Sequence, residues 1–288
     1  MSDIRAACII HDLETYRTRN PEILEHVRRE AIEKEYSNNT KKELKLEWDT
    51  ERARNERARE AVEKTSVDPL LAEPVLFCYR LRFTGSSECV DDYVSFMEDD
   101  DCLSARLPEL TQRLDRVIGP DTVWVGHNCD GFDLPVLLNS WSREGHRPPA
   151  DFPRYRNGRW SGRVWDTMLR MPTKTPFISL ENACRAYRLG EFPVVMWDGQ
   201  AMDGSRVGAA YEAGAYQNII EYCQVDVHQD DRLYQAQTFA GTWGTYDENS
   251  GLAERITAVE RSEDLSPPQK ALAILSLLDR AGRVPRAA

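Results

Sequence analysis

The stretch AACIIHDLE, residues 6–14, decides the fold that we expect for this chain. It opens with apolar and β-branched residues and changes abruptly at His11, so residues 4–15 are predicted to form a buried strand. Side chains alternate along a strand, so Asp12 and Glu14 point to one face from its end, and His11 points to the other. Two such carboxylates repel each other unless a cation lies between them, and Mg²⁺ or Mn²⁺ prefers hard oxygen ligands on a rigid element. An Asp-x-Glu pair alone is a weak signal, because it often arises by chance, and for His11 we expect a structural role with satisfied hydrogen bonds.

A third carboxylate is predicted where a strand turns into a helix, in GHNCDGFDLP, residues 126–135. Residues 122–126 form a short apolar run typical of a strand, and residues 134–141 begin a helix. Asp133 then lies near the start of this helix, where free backbone N–H groups favour a carboxylate. Taken alone, the segment leaves two interpretations open, a metal ligand and a simple helix cap.

A tyrosine and a fourth carboxylate share one face of a helix predicted over residues 215–239. Tyr222 and Asp226 are four positions apart, the spacing that places two side chains on the same face of a helix. The apolar residues that pack this helix down are Ile219, Ile220, Cys223 and Val227. Tyr222 and Asp226 can therefore project together into a cleft, although a surface tyrosine and a surface aspartate are the alternative for this segment alone.

The order of these three segments resembles the three exonuclease motifs of the DnaQ-like superfamily. It fits the subgroup whose last motif carries tyrosine, because Glu221 stands at the position where the other subgroup carries histidine. The best-fitting relative is the predicted 3′–5′ exonuclease family that is similar to the proofreading domain of family B DNA polymerases. Supporting matches are Asn128, Phe132, Ser179-Leu180, Gly190 and the run Gly204-Ser205-Arg206-Val207. The resemblance covers roughly residues 5–15 and 74–240.

The resemblance implies an α/β, RNase H-like fold, in which a mixed sheet is flanked by helices and the acids converge at its edge. It makes Asp12, Glu14, Asp133 and Asp226 the metal-binding acids and Tyr222 an accessory phenol. The expected cofactors are two Mg²⁺ or Mn²⁺ ions that act together in phosphodiester hydrolysis. Asp12 is expected to bridge both ions, Glu14 and Asp226 to hold the ion on the nucleophile side, and Asp133 to act through metal-bound water. Tyr222 is expected to orient the attacking water, because a phenol with a pKa of about 10 is a poor base at neutral pH.

Basic residues concentrate in residues 143–174, directly after the second motif, and guanidinium groups there are candidates for phosphate contacts. The residues that we expect to bind substrate are Thr15, Asn128, Phe132, Arg159 and Arg163. Trp160 and Trp165 can stack on bases, and an ordinary basic loop with buried tryptophans is the alternative. Asp166 matches a position where relatives often carry aspartate after a strand, so it either supports the metal ligands from behind or serves as a surface or cap residue.

Two segments lie outside the resemblance. Residues 16–73 are predicted to form an inserted, charged helical arm, whose second helix spans Lys41–Lys64. Residues 246–288 are predicted to form a C-terminal helical tail. The exonuclease domain then comprises residues 1–15 and 74–245. The arm or the tail is expected to bind a DNA polymerase or another replication protein, and a solvated helix pair without a partner is the alternative for the arm.

The composition, with 41% apolar and 30% charged residues among 288, fits a folded domain with a strongly solvated segment. The net charge of −11 argues against a non-specific nucleic-acid coat protein, but carboxylates that bind cations make a nuclease acidic as well. The seven cysteines form no Cys-x-x-Cys pair, so neither a disulfide framework nor a zinc site is expected. No apolar stretch is long enough to cross a membrane and the N-terminus lacks a signal-peptide core, so we expect a cytoplasmic protein without a membrane partner.

The sequence thus predicts a 3′–5′ exonuclease that removes nucleotides from DNA, with single-stranded or primer 3′ ends as substrate. A 3′–5′ exoribonuclease is one alternative, because the same acids serve both substrates and discrimination depends on contacts to the 2′-OH. A non-catalytic exonuclease-fold subunit is another, and the presence of all four acids and the tyrosine speaks against it. The Tyr-x-x-x-Asp motif speaks against an RNase H-like endonuclease or strand-transfer enzyme.

Overall fold

The fold is built on a five-stranded mixed sheet in a computed structural model that describes residues 5–33, 50–83, 86, 89–97, 102–156, 159–160, 162–171 and 177–238. The strands within these residues are β1 (Ala6–Tyr16), β2 (Glu73–Phe83), β3 (Cys89–Ser95), β4 (Val123–Gly126), β5 (Tyr155–Arg156), β6 (Arg159–Trp160), β7 (Val164–Asp166), β8 (Met196–Trp197) and β9 (Gln200–Ala201). The helices are α1 (Pro21–Glu33), α2 (Glu51–Glu63), α3 (Cys102–Val117), α4 (Asp133–Arg143), α5 (Leu180–Ala186), α6 (Val207–Glu212) and α7 (Tyr216–Thr238), with short 3-10 helices at Lys64–Val67 and Gly204–Arg206.

The central sheet has the strand order β3-β2-β1-β4-β7. β1 pairs antiparallel with β2 and parallel with β4, β2 pairs antiparallel with β3, and β4 pairs parallel with β7. Of these five strands only β2 runs against the others, so the carboxyl ends of β1, β4 and β7 meet at one edge. Two separate ribbons join β5 with β6 and β8 with β9.

Both faces of the sheet are covered by helices, and β1 shows how the sequence achieves this. Ile9 and Leu13 enter a core shared with α3 and α4, whereas Ile10 enters a second core shared with α6 and α7. A central strand buried on both faces needs a nearly continuous apolar run, and residues 75–79 of β2 provide one. The predicted α/β class, with a mixed sheet flanked by helices, is confirmed.

The long helix α7 is tied to the sheet by a buried carboxylate in addition to its apolar contacts. Asp231 is 1% exposed and accepts hydrogen bonds from Arg82 Nε at 2.5 Å, from Arg82 Nη2 at 2.6 Å and from Arg80 Nη1 at 3.0 Å. Burial opposes ionisation of Asp231, but the hydrogen bonds from Arg82 and Arg80 outweigh it and lower the pKa of this carboxyl. The cluster fixes where α7 crosses β2, and therefore where its earlier turns lie over the end of β1.

The predicted strand and helices that carry the acids are present. Strands without a clear apolar alternation were not predicted. The strand predicted over residues 4–15 corresponds to β1, and the helices predicted over residues 134–141 and 215–239 correspond to α4 and α7. The sequence did not indicate β3, because this edge strand exposes Val90 and Tyr93 and therefore lacks a clear apolar alternation. Two-residue strands such as those of the ribbons are too short to produce any periodic pattern.

The predicted arm and tail are only partly covered by the described residues. Helices α1 and α2 lie between β1 and β2 in the chain and pack against each other, with a hydrogen bond from Arg57 Nε to the carbonyl oxygen of Ala31 at 3.3 Å. Residues 34–49 and the tail over residues 246–288 lie outside the described residues, so the arm, the tail and the domain boundaries stay predictions. Within the described ranges, no helix is both long and apolar enough to cross a bilayer.

Replacing Gly126 with alanine is expected to lower the free energy of unfolding by about 1–3 kcal/mol, because the end of β4 leaves no room for a methyl group. A Cβ atom at this position lies 2.8 Å from the Cβ atom of Cys129 and 3.1 Å from the carbonyl oxygen of His11. The measurement is urea unfolding of the two proteins. Gly204→Ala is the control, because no atom lies within 4 Å of a Cβ atom there. Equal stability of Gly126→Ala and the control would contradict the expectation.

Candidate active site

The carboxyl end of β1 carries the first two acids to the face that α7 covers. Asp12 and Glu14 follow Ile10 on this face, in accordance with the alternation of the strand. One ligand atom from each of Asp12, Glu14 and Cys223 lies within 4.8 Å of the other two. Cys223 on α7 also donates a hydrogen bond from Sγ to the carbonyl oxygen of Asp12 at 3.6 Å. The sequence indicated Cys223 only as a packing residue, and the structure adds its thiol to the compact group.

Tyr222 and Asp226 reach the same edge from α7, one helical turn apart. The Tyr222 hydroxyl and the Asp226 carboxyl lie close enough for each to shift the pKa of the other. Burial, and then the nearby Asp12 carboxylate, raise the pKa of Asp226 to about 8. Burial and the Asp226 charge raise the pKa of Tyr222 far above the ordinary value of a phenol. The two side chains are therefore neighbours that both sense the charge of Asp12 on β1.

Asp133 approaches the same acids from the start of α4. Phe132 is the residue that caps this helix, and its side chain makes no capping hydrogen bond. The Asp133 carboxyl is 3% exposed, and its Oδ2 atom is buried without a hydrogen-bond partner. Burial, followed by the charges of Asp12 and Asp230, raises its pKa well above the usual range. The side chain of a helix cap accepts a hydrogen bond from a backbone N–H group. This buried oxygen accepts none, so it is better suited to bind a cation.

The electrostatics of this cluster favour a divalent cation. Burial raises the pKa of Asp12 to about 6. Burial and the charges of Asp12 and Asp226 raise the pKa of Glu14 well above its usual value. In the part of the chain that the structure describes, none of the four acids, Asp133 included, forms an ion pair with lysine or arginine. Oxygen ligands crowded without a counter-charge fit Mg²⁺ or Mn²⁺, which supplies the missing positive charge.

Asp166 supports the turn that carries the second motif. It lies at the end of β7, and its Oδ1 atom accepts hydrogen bonds from the backbone N–H groups of Asn128, Met168 and Leu169 at 2.9–3.1 Å. Its Oδ2 atom accepts a fourth from the N–H of Asp130 at 3.0 Å. The carboxylate thus joins the end of β7 to the turn between β4 and α4. Of the two roles expected for Asp166, the geometry favours that of a residue that positions the metal-binding acids over that of a surface or cap residue.

The expected substrate-binding residues fall into two groups. Asn128 has a φ of 61°, a conformation that asparagine tolerates, and its carbonyl oxygen accepts hydrogen bonds from the N–H groups of Gly131 and Phe132. Phe132 packs partly against the core of α3 and α4. Thr15 donates a hydrogen bond to the carbonyl oxygen of Ser66 at 2.7 Å. These three residues shape the backbone around the acids.

The structure does not bring Arg163 to the acids. Its guanidinium donates hydrogen bonds to the carbonyl oxygens of Gly119 and Asp151, both at 3.1 Å, at the amino-terminal ends of β4 and β7. This is the end of the sheet opposite to Asp12, so the expected phosphate contact is not supported for Arg163. Arg159 begins β6 in the ribbon with β5, and its role stays a prediction.

The tryptophans of the basic stretch have structural contacts. Trp160 is 8% exposed and donates a hydrogen bond from Nε1 to the carbonyl oxygen of Asp130 at 2.8 Å. Trp165 donates from Nε1 to Gln237 Oε1 at 2.9 Å, and the guanidinium of Arg170 lies over its ring. These contacts favour structural roles over base stacking, with Trp160 buried and Trp165 partly buried.

His11 has the structural position that alternation predicted, but its hydrogen bonds are not satisfied. Its ring lies among Phe77 and Trp124 on the opposite face from Asp12, and neither ring nitrogen has a hydrogen-bond partner. Burial lowers the pKa of His11 to about 3, so the imidazole is neutral. The expectation of satisfied hydrogen bonds was wrong, because the ring packs against the aromatic faces and edges of Phe77 and Trp124, and the indole Nε1 of Trp124 also lacks a hydrogen-bond partner.

A further acid near this cluster, Asp230, was not predicted. It lies on α7 four residues after Asp226, is fully buried, and bonds through Oδ1 to Thr167 Oγ1 at 2.8 Å. The same four-residue spacing that indicated Tyr222 and Asp226 continues to Asp230, so this signal was present in the sequence.

Three separate elements therefore deliver acids to one sheet edge: β1, the start of α4 and one face of α7. A tyrosine hydroxyl faces the same edge, and such a cluster can bind divalent cations and, through them, a phosphate group. Comparison with protein-family models found no family that matches this chain, and comparison with curated proteins found no matching protein.

Proposed function

We propose that this protein is a metal-dependent 3′–5′ exonuclease of the DnaQ-like superfamily. The observation that carries the proposal is the convergence of Asp12, Glu14, Asp133 and Asp226 at one edge of the sheet, with Tyr222 beside the last of them. These are the positions that match the three exonuclease motifs in the sequence. A chance resemblance in sequence gives no reason for segments so far apart in the chain to meet.

The strand order supports an RNase H-like fold as the finer description. In the order β3-β2-β1-β4-β7, β2 alone is antiparallel, and the acids lie at the carboxyl end of the central strand β1. In open α/β sheets, ligands bind outside the carboxyl ends of the strands. The proposed fold and the proposed site therefore agree with each other.

Asp12, Glu14 and Asp226 would hold the catalytic Mg²⁺ or Mn²⁺ ions, together with Asp133. When bound, two such ions lower the pKa of an attacking water and stabilise charge on the scissile phosphate and the leaving oxygen. The carboxylates are held on rigid elements, β1 and two helices, so little reorganisation is needed when the ions bind. Asp166 keeps the turn before Asp133 in place through its four backbone hydrogen bonds.

Tyr222 acts as a neutral hydrogen-bonding group in this proposal. Burial and the Asp226 charge keep its hydroxyl protonated at any physiological pH, so it does not serve as a base. The hydroxyl can donate to Asp226 and retains its lone pairs, which can accept a hydrogen bond from the attacking water. Tyr222 thereby orients the water toward the phosphate.

The proposed substrate is DNA, with single-stranded or primer 3′ ends. RNA is tested beside it, because the carboxylate chemistry is common to both and contacts to the 2′-OH decide between them. Binding of a polymerase or another replication protein through residues 16–73 or 246–288 remains part of the proposal.

The test uses 5′-labelled single-stranded DNA, a primer–template duplex and RNA of the same sequence. Each is incubated with the full-length protein in Mg²⁺, in Mn²⁺ and in EDTA, and Asp226→Ala serves as the inactive control. We expect a ladder that shortens from the 3′ end, requires metal and is absent for Asp226→Ala. Failure of the folded wild-type protein to cleave any substrate in either metal would overturn the proposed activity and favour the non-catalytic alternative.

Replacing Tyr222 with phenylalanine is expected to lower kcat by about 10- to 100-fold, the effect of losing one hydrogen bond to a reacting group. The affinity for Mn²⁺ is expected to stay within about threefold, because the acids are unchanged. Single-turnover cleavage and Mn²⁺ titration measure the two quantities. Tyr216→Phe on the same helix is the control, since Tyr216 packs against Tyr211, away from the acids. An unchanged kcat for Tyr222→Phe would remove its proposed role.

A further inference from the structure

A chain of three side-chain contacts connects α7 to the segment before α5. Asp230 Oδ1 lies 2.8 Å from Thr167 Oγ1, and Thr167 Oγ1 lies 2.9 Å from His127 Nδ1. His127 Nε2 lies 2.7 Å from the carbonyl oxygen of Ile178. Asp230 and Thr167 are fully buried, and His127 is partly buried in the turn that leads to Asp133. The proposed mechanism does not use any of these side chains.

The direction of these hydrogen bonds fixes the position of the protons. A carbonyl oxygen only accepts, so His127 Nε2 carries a hydrogen and donates it to Ile178. In a neutral imidazole Nδ1 is then the acceptor, and the Thr167 hydroxyl donates to it. A hydroxyl has a single hydrogen, so the short contact between Thr167 and Asp230 requires a proton that belongs to Asp230. The same conclusion holds if the hydroxyl instead donates to the carbonyl oxygen of Gly126 at 3.3 Å.

An imidazolium at His127 with an ionised Asp230 also satisfies the contacts, but the surroundings oppose it. Burial lowers the pKa of His127 and raises that of Asp230, so both groups favour their neutral forms. The acids that face Asp230 are Asp12 from β1, Asp166 from β7, Asp226 on α7 itself and Asp133 at the start of α4. Each of these acids, when ionised, disfavours a further carboxylate, although Asp166 also favours a charged His127.

We propose that Asp230 is a protonated positioning residue, a neutral acid that donates to Thr167 and so locks α7 to the turn after β4. The lock sets the distance between Asp226, one turn earlier on α7, and Asp133, at the end of that turn. This second part rests on the proposed function, because it concerns the metal ligands. Asp230 is thus not a fifth metal ligand.

The neighbouring Asp231 is a matched control. It is equally buried but ionised, because Arg80 and Arg82 donate three hydrogen bonds to it. Two adjacent aspartates on one helix therefore have opposite protonation states, and the Asp→Asn change has opposite consequences. The amide that Asp230→Asn introduces retains a donor for Thr167, whereas Asp231→Asn removes the charge that two arginines need.

The first experiment measures urea unfolding of wild type, Asp230→Asn and Asp231→Asn in EDTA between pH 5 and 7. A carboxyl whose pKa is raised by folding keeps a proton that the unfolded chain releases above about pH 4, so wild-type stability falls as pH rises. We expect the folding equilibrium constant of Asp230→Asn relative to wild type to rise at least tenfold over this interval. For Asp231→Asn, the folding equilibrium constant relative to wild type is expected to be low at pH 5 and at pH 7, with little change between them. A flat ratio for Asp230→Asn would overturn the assignment of the proton.

A second measurement needs no variant. Nitrogen-15 NMR of the wild-type imidazoles distinguishes a ring with hydrogen on Nε2 alone from a doubly protonated ring. We expect the first form for His127 at pH 7, and the second form would overturn the proposal.

The positioning role is tested by Mn²⁺ binding, measured from the loss of the free-ion electron paramagnetic resonance signal. Asp230→Ala removes the donor and is expected to weaken Mn²⁺ binding about tenfold, and Asp230→Asn is expected to restore it. Equal weakening by both variants would identify Asp230 as a charged ligand, and no weakening by either would remove the positioning role. Because none of the three experiments depends on cleavage, an inactive wild-type protein would refute the proposed exonuclease and leave these results interpretable.

Discussion

Asp12→Asn is expected to reduce metal-dependent cleavage by at least about 10³-fold, a barrier increase of about 4 kcal/mol, and to make the metal-free protein more stable. Asp12 lies in the compact group with Glu14 and Cys223, and its charge raises the pKa of Glu14, Asp133 and Asp226. Asparagine keeps the shape of the side chain and removes the charge. The remaining acids then bind cations less tightly, but they also repel one another less.

The sign of the stability change follows from the pKa shift. Burial raises the pKa of Asp12 from 3.8 to about 6 in the folded protein. The folded protein therefore retains a proton that the unfolded chain releases, and wild-type stability falls as pH rises through this interval. At pH 7 without metal, Asp12→Asn is expected to be more stable by about 1–3 kcal/mol. Below about pH 4, the raised pKa of Asp12 should cause little difference in stability between wild type and Asp12→Asn.

The measurement is urea unfolding in EDTA and in excess Mn²⁺. At 1,000 times its dissociation constant, Mn²⁺ stabilises a protein that binds it by about 4.1 kcal/mol, more than the expected advantage of Asp12→Asn, so the order of stabilities should reverse. Asp121→Asn is the control, because it makes the same change at an exposed position far from the cluster. A variant that is less stable than wild type in EDTA would contradict the view that these acids repel one another.

Much of this site was predictable because it depends on short-range periodicity. Alternation in β1 places Asp12 and Glu14 on one face, and four-residue spacing in α7 places Tyr222 with Asp226. Both patterns fix side-chain direction relative to a single element. The fold class followed from the resemblance to the DnaQ-like superfamily, which these two motifs and the segment around Asp133 carry.

The features of the site that could not be predicted from the sequence depend on contacts between elements. Cys223 was assigned to packing, and only the position of α7 against β1 brings its thiol to Asp12. Arg163 was expected near phosphate because it follows the second motif, yet β7 runs parallel to β4 and carries Arg163 to the far end of the sheet. Asp230 had a visible spacing, but its protonation depends on Thr167 and His127 from two other segments. Strand direction and helix docking were the missing information.

Asp166→Ala is expected to lower the free energy of unfolding by about 3–5 kcal/mol, because it leaves four backbone N–H groups without their acceptor. Those of Asn128 and Asp130 belong to the turn before Asp133, and those of Met168 and Leu169 belong to the turn after β7. Each buried donor without a partner costs about 1–3 kcal/mol, and the four do not add fully because the freed turns relax toward solvent.

Asp166→Asn removes the negative charge of the carboxylate but keeps one of its two oxygen acceptors. Its single carbonyl oxygen can keep the three bonds that Oδ1 accepts now, while its amide nitrogen meets the N–H of Asp130 as a second donor. We therefore expect an intermediate loss of about 1–2 kcal/mol. Asp203→Ala is the control, because Asp203 accepts a backbone hydrogen bond from Ser205 at an exposed 3-10 helix, and its loss should cost about 1 kcal/mol or less.

The same variants report on the metal site. Residues that orient metal ligands typically change metal affinity by about 10- to 100-fold when they are replaced, so Asp166→Ala should weaken Mn²⁺ binding by that factor at a temperature where it remains folded. The physical reason is that this one carboxylate holds the turn from Asn128 to Asp133 at two of its N–H groups, those of Asn128 and Asp130. If Asp166→Ala lost stability but bound Mn²⁺ like wild type, the position of Asp133 would be set by the packing of α4 alone, and Asp133 would not need the turn to reach the other acids.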